Sequence, residues 1–130
     1  MTQIENEIYT ELRNLLTTTY SGIFVTGEYT PIPDKFPCVF IEEADNRTVS
    51  LNGSNKGEVS AVMYEINVFS NLQNGRKSEV KKIIKTIDDF MTLRGFMRMS
   101  CMPTPNQDST VYRMTARYEA SVFNDTIYRR

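Results

Sequence analysis

Lys77 and Ser78, which follow Gly75 and Arg76 between an alternating apolar segment and a helical one, are the first residues that invite a chemical reading. A phosphate-cradling loop has the form G-x-x-x-x-G-K-[ST], in which glycine amides wrap the phosphates and the lysine reaches the outer ones. Here Arg76 separates Gly75 from Lys77, and Ser70 stands where the first glycine belongs. The preceding strand alternates apolar and polar residues, whereas the motif usually follows a strand buried on both faces. Spacing and strand type both speak against a nucleotide site. Asn74-Gly75 reads as turn chemistry, and Ser78 reads as the N-cap of a helix beside Lys81 and Lys82.

Other catalytic groupings are thin. The chain has no histidine, so the common acid–base pairs and Ser–His arrangements are missing. Glu42 and Glu43 point to opposite faces of a strand, and Asp88 and Asp89 diverge on a helix, so neither pair forms a dyad. Cys38 and Cys101 lie far apart with no C-x-x-C spacing, which leaves no zinc ligand set. Both read as buried free thiols, although spacing leaves a long-range disulfide open. Arg113 and Arg117 suit either phosphate contact or cross-strand pairing with Glu65 or Glu119, and pairing is the plainer role. No catalytic, cofactor-binding or metal-binding residue is nominated, and the chain is not expected to be an enzyme.

Composition sets the frame for these residues. A chain of 130 residues with 40% hydrophobic content fits one domain, residues 1–130, with a modest core. Charged residues make up 24% of the chain and cancel to a net charge of -1, which leaves no basic footprint for nucleic acid or an anionic membrane. No apolar run approaches the roughly 20 residues that span a bilayer. The first residues form an amphipathic pattern and not a signal peptide, so use in a cytosol is expected.

Periodicity supplies the elements that must position any site. Thr2 and Glu5 form a capping box ahead of Ile4, Ile8, Leu12, Leu15 and Leu16, predicting a helix over about 3–17 that ends in the threonine run before Gly22. Residues 23–25 read as a short strand, and Pro31, Pro33 and Pro37 mark an extended loop. Residues 38–44 are apolar on both alternating sets, a strand covered on both faces and a first hint of a partner surface. Residues 45–58 are polar and glycine-bearing: turns or a hairpin tip that is either an arm ordering on a neighbour or a plain loop.

A long strand then places Val62, Tyr64, Ile66 and Val68 on one face, with Glu65 and Asn67 on the other. A second helix is expected from Ser78 to Leu93, carrying Val80, Ile83, Ile84, Ile87, Phe90 and Met91 and closed by Gly95. Strands over 96–101 and 111–123 follow; in the latter, Tyr112, Met114, Ala116, Tyr118, Ala120 and Val122 alternate with Arg113, Thr115, Arg117, Glu119 and Ser121. The expected fold is α+β, in the order α-β-β-β-α-β-β. It has a mostly antiparallel sheet of four or more strands and two helices on one face. The second face, with Arg113, Arg117, Glu119, Glu65 and Asn67 mixed with Phe69 and part of the 38–44 segment, is left either solvated or for an interface.

These segments carry a family resemblance. FPCVFIEEADN (36–46), YEINVFSN (64–71), LRGF (93–96) closing the second helix, and VYRMTARYEASV (111–122) together resemble the tail terminator proteins of long-tailed bacteriophages, also described as tail completion or minor capsid proteins. The resemblance extends over about residues 4–123 and lies in strand and helix pattern, without a catalytic signature. It implies a structural virion protein, assembled in the host cytoplasm, that forms a homohexameric ring at the head-proximal end of the tail tube. Such a ring stops tube polymerisation and offers a docking surface for head–tail joining. The implied partners are other copies of the chain, the tail tube protein and a head-completion or neck protein. Genome DNA passes the lumen without being read, and no membrane or cofactor is involved.

A ring needs a heterologous contact, in which one patch meets a different patch on the next copy. The candidate contact residues are Val39 and Ile41 in the doubly apolar strand, and Arg47, Val49 and Leu51 in the arm. Phe69, Arg113 and Arg117 on the second sheet face complete the set. Another neck or tube-related component remains open, as does a small α+β ligand-binding module or regulator.

Overall fold

The computed structural model describes residues 4–28, 33, 35–51, 58–105, 109–123 and 126–127; of residues 49–51, 58 and 126 it describes the backbone only. The first helix, α1, spans Glu5–Thr19 and buries Ile8, Leu12 and Leu16 along one stripe. Ile4 holds the N-cap position without a side-chain cap, and Thr2 of the expected capping box lies outside the described residues. The helix runs two residues past its expected end, and its threonine hydroxyls bond back along the last turns: Thr17 Oγ1 donates to the Arg13 carbonyl at 2.9 Å and Thr19 Oγ1 to that of Leu15 at 2.7 Å.

Strand β1, Phe24–Thr26, pairs with β2, Cys38–Leu51, which forms a long hairpin with β3, Glu58–Ser70. The polar segment after residue 44 therefore continues the strand through Leu51, and residues 52–57 lie outside the described set. Helix α2 spans Arg76–Leu93 and starts two residues before the expected Ser78. Gly75, at a φ of 84° that favours glycine, turns the chain straight into the helix, and its carbonyl accepts the Glu79 amide at 2.9 Å. Ser78 therefore sits within the first turn, while Ser70 Oγ donates to Glu79 Oε1 at 2.6 Å.

The far end of α2 closes as its glycine predicts. Gly95 adopts a φ of 99°, its amide reaches the Thr92 carbonyl at 3.0 Å, and the Phe96 amide reaches that of Met91 at 2.9 Å. This is a Schellman closure, with Phe96 and Met91 buried beside it. Strands β4, Met97–Pro103, β5, Tyr112–Phe123, and the short β6, Thr126–Ile127, complete the chain.

The sheet order is β1-β2-β3-β5-β4, with β6 beside β5. Every pairing is antiparallel except that of β1 with β2, in keeping with a mostly antiparallel sheet. The proline-bearing connection after β1 is longer than a hairpin loop, so the chain returns alongside β1 in the same direction.

Both helices cover one sheet face. Ile8, Leu12 and Leu16 of α1 and Val80, Ile83, Ile87 and Met91 of α2 pack on the alternating rows of β2, β3 and β5. Arg94 fastens the helices together, donating from Nη2 to Glu7 at 2.6 Å and from Nη1 to Glu11 at 2.7 Å. The Tyr20 hydroxyl lies 2.6 Å from Thr86 Oγ1 at the other end of α1. Tyr64 and Tyr118 face each other in register on β3 and β5, and both are fully buried.

Candidate functional site

The sheet face turned away from the helices is built by the alternate strand positions that do not enter the main core. One end of it is apolar and already covered: Cys38, Phe40, Phe69 and Val111 form a second buried cluster with Phe24 and Phe36 packed on it. This accounts for the doubly apolar strand within one chain, so its second apolar set is no sign of a partner. It also corrects three of the proposed contact residues. Val39 and Ile41 lie beneath the helices in the main core, and Phe69 is buried in the second cluster, which leaves no surface there for a neighbour.

The middle of this face is a polar network. Asn67 is buried, and its Oδ1 accepts from Arg113 Nε at 3.0 Å and from Thr115 Oγ1 at 2.6 Å. The Arg113 guanidinium lies over the Phe69 ring, 5.2 Å from its centroid, so it joins the polar network to the apolar cluster. Arg113 is therefore half-buried and held. Arg117 is exposed and pairs with Glu65 across the strands at 3.7 Å, the cross-strand role expected for it.

Beyond that network the face is open and charged. β-bulges in β2 between Glu43 and Asp45, and again between Thr48 and Ser50, shift the register against β3. After the first bulge Asp45 pairs with Met63 and Arg47 with Ala61, on the same side as Glu65 and Arg117. Arg47 is exposed and donates to Asp45 Oδ2 at 2.7 Å. Thus Arg47, Arg113 and Arg117 share one sheet face, while the side chains of Val49 and Leu51 lie outside the described set.

The edge strand β4 adds an apolar feature that periodicity had not singled out. Met97, Met99 and Met102 are exposed along it, each by 41% or more. An edge strand offers unpaired backbone groups, and methionine adapts to varied partners. Its sequence signal was the alternation MRMSCMP, which reads as a half-buried strand whichever way it faces.

A cavity of about 350 Å³ opens between α1 and the sheet, lined by Glu5, Tyr9, Glu28, Ile41, Glu43 and Tyr64 among others. Glu43 is the register partner of Tyr64 and shares the core face with Val39 and Ile41. Burial raises its carboxyl above the ordinary range, against the hydrogen bond that Asn46 Nδ2 donates to it at 2.6 Å. Among the described residues the buried Tyr64 hydroxyl has no hydrogen-bond partner, whereas that of Tyr118 donates to Asp88 Oδ1 at 3.1 Å. The signal in the sequence was Glu43 itself, a carboxylate in phase with a buried row.

Both cysteines are free thiols, Cys38 buried and Cys101 half-buried. Burial pushes the Cys38 thiol up to about 11. Among the described residues no group of three or more Cys, Asp or Glu side chains is arranged to hold a metal ion, and no helix is long and apolar enough to cross a membrane.

No family model matches this chain, and comparison with curated proteins finds no match. Among solved structures the fold is similar to that of a chain in the virion of a native gene transfer agent (GTA) particle. The two share 12% sequence identity with a TM-score of 0.61, over 89% of this chain and 91% of that one. The likeness is one of fold: two helices on one side of a mixed sheet, an α+β arrangement.

Proposed function

We propose that this chain is a structural virion protein of a phage-like particle, and that within the particle it acts as a tail terminator. The observation that carries the reading is the fold shared, over nearly the whole of both chains, with a component of a virion particle. The segments that resemble tail terminators support the finer assignment, since they form the paired strands and the closed end of α2.

In this reading copies of the chain close into a homohexameric ring on the head-proximal end of the tail tube. There the ring halts tube growth and receives the head-completion or neck protein. Arg47 and Arg117, with the backbone of Val49 and Leu51 in the hairpin, supply one patch of the subunit contact. The methionine edge of β4 supplies a different patch, as a heterologous ring requires. Arg113 acts from beneath, holding the face in shape through Asn67. The near-neutral chain lets DNA pass the lumen, since a strongly basic wall would retain it by counterion release.

Mass photometry of the purified chain with and without tail tubes tests this reading. A ring-sized species, alone or on tube ends, is the expected outcome, and a chain that stays monomeric in both conditions overturns it. Particles made without the chain should carry tails of uncontrolled length in electron micrographs; tails of normal length would point to another neck component.

A further inference from the structure

The sequence holds two cysteines and seven methionines, and the fold sorts their sulfurs by access. Met1 lies outside the described residues, Met91 is fully buried in the main core, and Met63 and Met114 are half-buried on β3 and β5. Met97, Met99 and Met102 are exposed by 41%, 54% and 56%, all three on the edge strand β4. Apart from Leu72, every large apolar side chain left exposed among the described residues lies between Leu93 and Met102. The register sets Met97 beside Glu119 and Met102 beside Thr115, while Met99 falls in the bulge between Arg98 and Ser100.

The thiols are poor targets for an oxidant by comparison. A cysteine reacts with peroxide as its thiolate. Cys38 is sealed in the second cluster with its thiol pushed up to about 11, and burial raises the half-buried Cys101 as well. A thioether needs no ionisation, only access, and β4 is where access is given.

We infer that β4 carries a reversible oxidation switch: a peroxide converts Met97, Met99 and Met102 to sulfoxides, and the subunit contact made by this edge is then weakened. The inference rests on the reading of β4 as one patch of the ring contact. In the forward step a sulfur lone pair attacks a peroxide oxygen, the O–O bond breaks, an S–O bond forms, and water or an alcohol leaves. The sulfur gives up two electrons and the peroxide takes them. A thiol-dependent sulfoxide reductase reverses the step, releasing the oxygen as water and leaving a disulfide on the reductant.

The chemistry of the contact explains the consequence. A thioether is apolar and adaptable, whereas a sulfoxide is polar and carries an oxygen that must be hydrated or hydrogen-bonded. On the free edge water meets that need. In a closed contact the oxygen loses its water, and at Met97 it would lie beside Glu119, a second acceptor.

The test treats the purified chain with a limited dose of hydrogen peroxide, maps the sulfoxides by peptide mass spectrometry, and follows ring formation by mass photometry with and without tail tubes. Met97, Met99 and Met102 should oxidise well before Met91, and more slowly in the assembled ring than in the free chain. Each sulfoxide buried in the contact should weaken association about tenfold, the loss expected for a polar group left without a partner. Methionine sulfoxide reductases with dithiothreitol should restore it. The variant Met97→Leu/Met99→Leu/Met102→Leu, compared only with itself, should associate equally before and after the same dose. Ring formation unchanged with all three sulfoxides in place overturns the switch and leaves the terminator reading standing. A chain that forms no ring before oxidation overturns that reading and the switch with it.

Discussion

Tyr64 and Tyr118 offer a matched experiment, because two rings with the same burial and facing positions differ only at the hydroxyl. Tyr118→Phe removes the donor to Asp88, a carboxylate half-shielded from water and also 3.6 Å from Arg98. Loss of a hydrogen bond to a charged group of that kind costs about 1–2 kcal/mol after allowance for its partial exposure. Tyr64→Phe removes a hydroxyl that has no partner among the described residues, so the desolvation penalty of that group is lifted and stability rises by about 1 kcal/mol. Each variant loses the same oxygen from a packed interior, so the small void left behind cancels in the comparison.

The expected gap is therefore about 2–3 kcal/mol, which for a domain of this size separates the two melting temperatures by roughly 10 °C. Urea unfolding followed by circular dichroism at one protein concentration measures it, with an unchanged m value as the check that both variants unfold alike. The reasoning is refuted if Tyr64→Phe loses as much stability as Tyr118→Phe. That result would mean that the Tyr64 hydroxyl is satisfied in solution.

Three further outcomes follow from the same geometry. Arg94→Ala cuts the two carboxylate contacts that fasten α1 to α2, and should cost about 1–2 kcal/mol in urea, with a smaller loss at high salt. Phe69→Ala opens the second cluster and uncovers one side of the Arg113 guanidinium, a loss of roughly 3 kcal/mol by the same assay. Iodoacetamide at pH 8 should label Cys101 well before Cys38, whose thiol stays protonated below its raised value of about 11. The sign is fixed by that direction. The fold keeps the Cys38 thiol neutral while the unfolded chain ionises from about 9.0, so its contribution to stability is full below pH 9 and fades towards 11. Equal labelling rates in mass spectrometry would contradict the burial of Cys38.

Much of the frame is already present in the sequence. The i, i+4 spacing of Ile8, Leu12 and Leu16, the alternation from Val62 to Val68, and Gly95 after Leu93 each specify local structure through their own periodicity or φ preference. The same patterns gave the element order and the placing of Arg113 and Arg117 opposite the core. Local pattern also had its limits. It read Ser78 as a cap because serine favours that position, whereas Gly75 had already turned the chain.

What alternation fixes is which residues share a face; what covers that face depends on chain segments distant in sequence. The second apolar set of β2 read as surplus surface, and only the folded chain brings Val111, Phe24 and Phe36 over it. The parallel pairing of β1, the register that sets Glu43 beside Tyr64, and the approach of α1 that encloses the acidic cavity all belong to long-range contacts. Sequence by itself determined the elements, their order and their faces, because those follow from backbone preference and side-chain period. Tertiary structure alone decided which apolar side chains were spent on the chain's own core, and which charged rows and edge methionines stayed exposed.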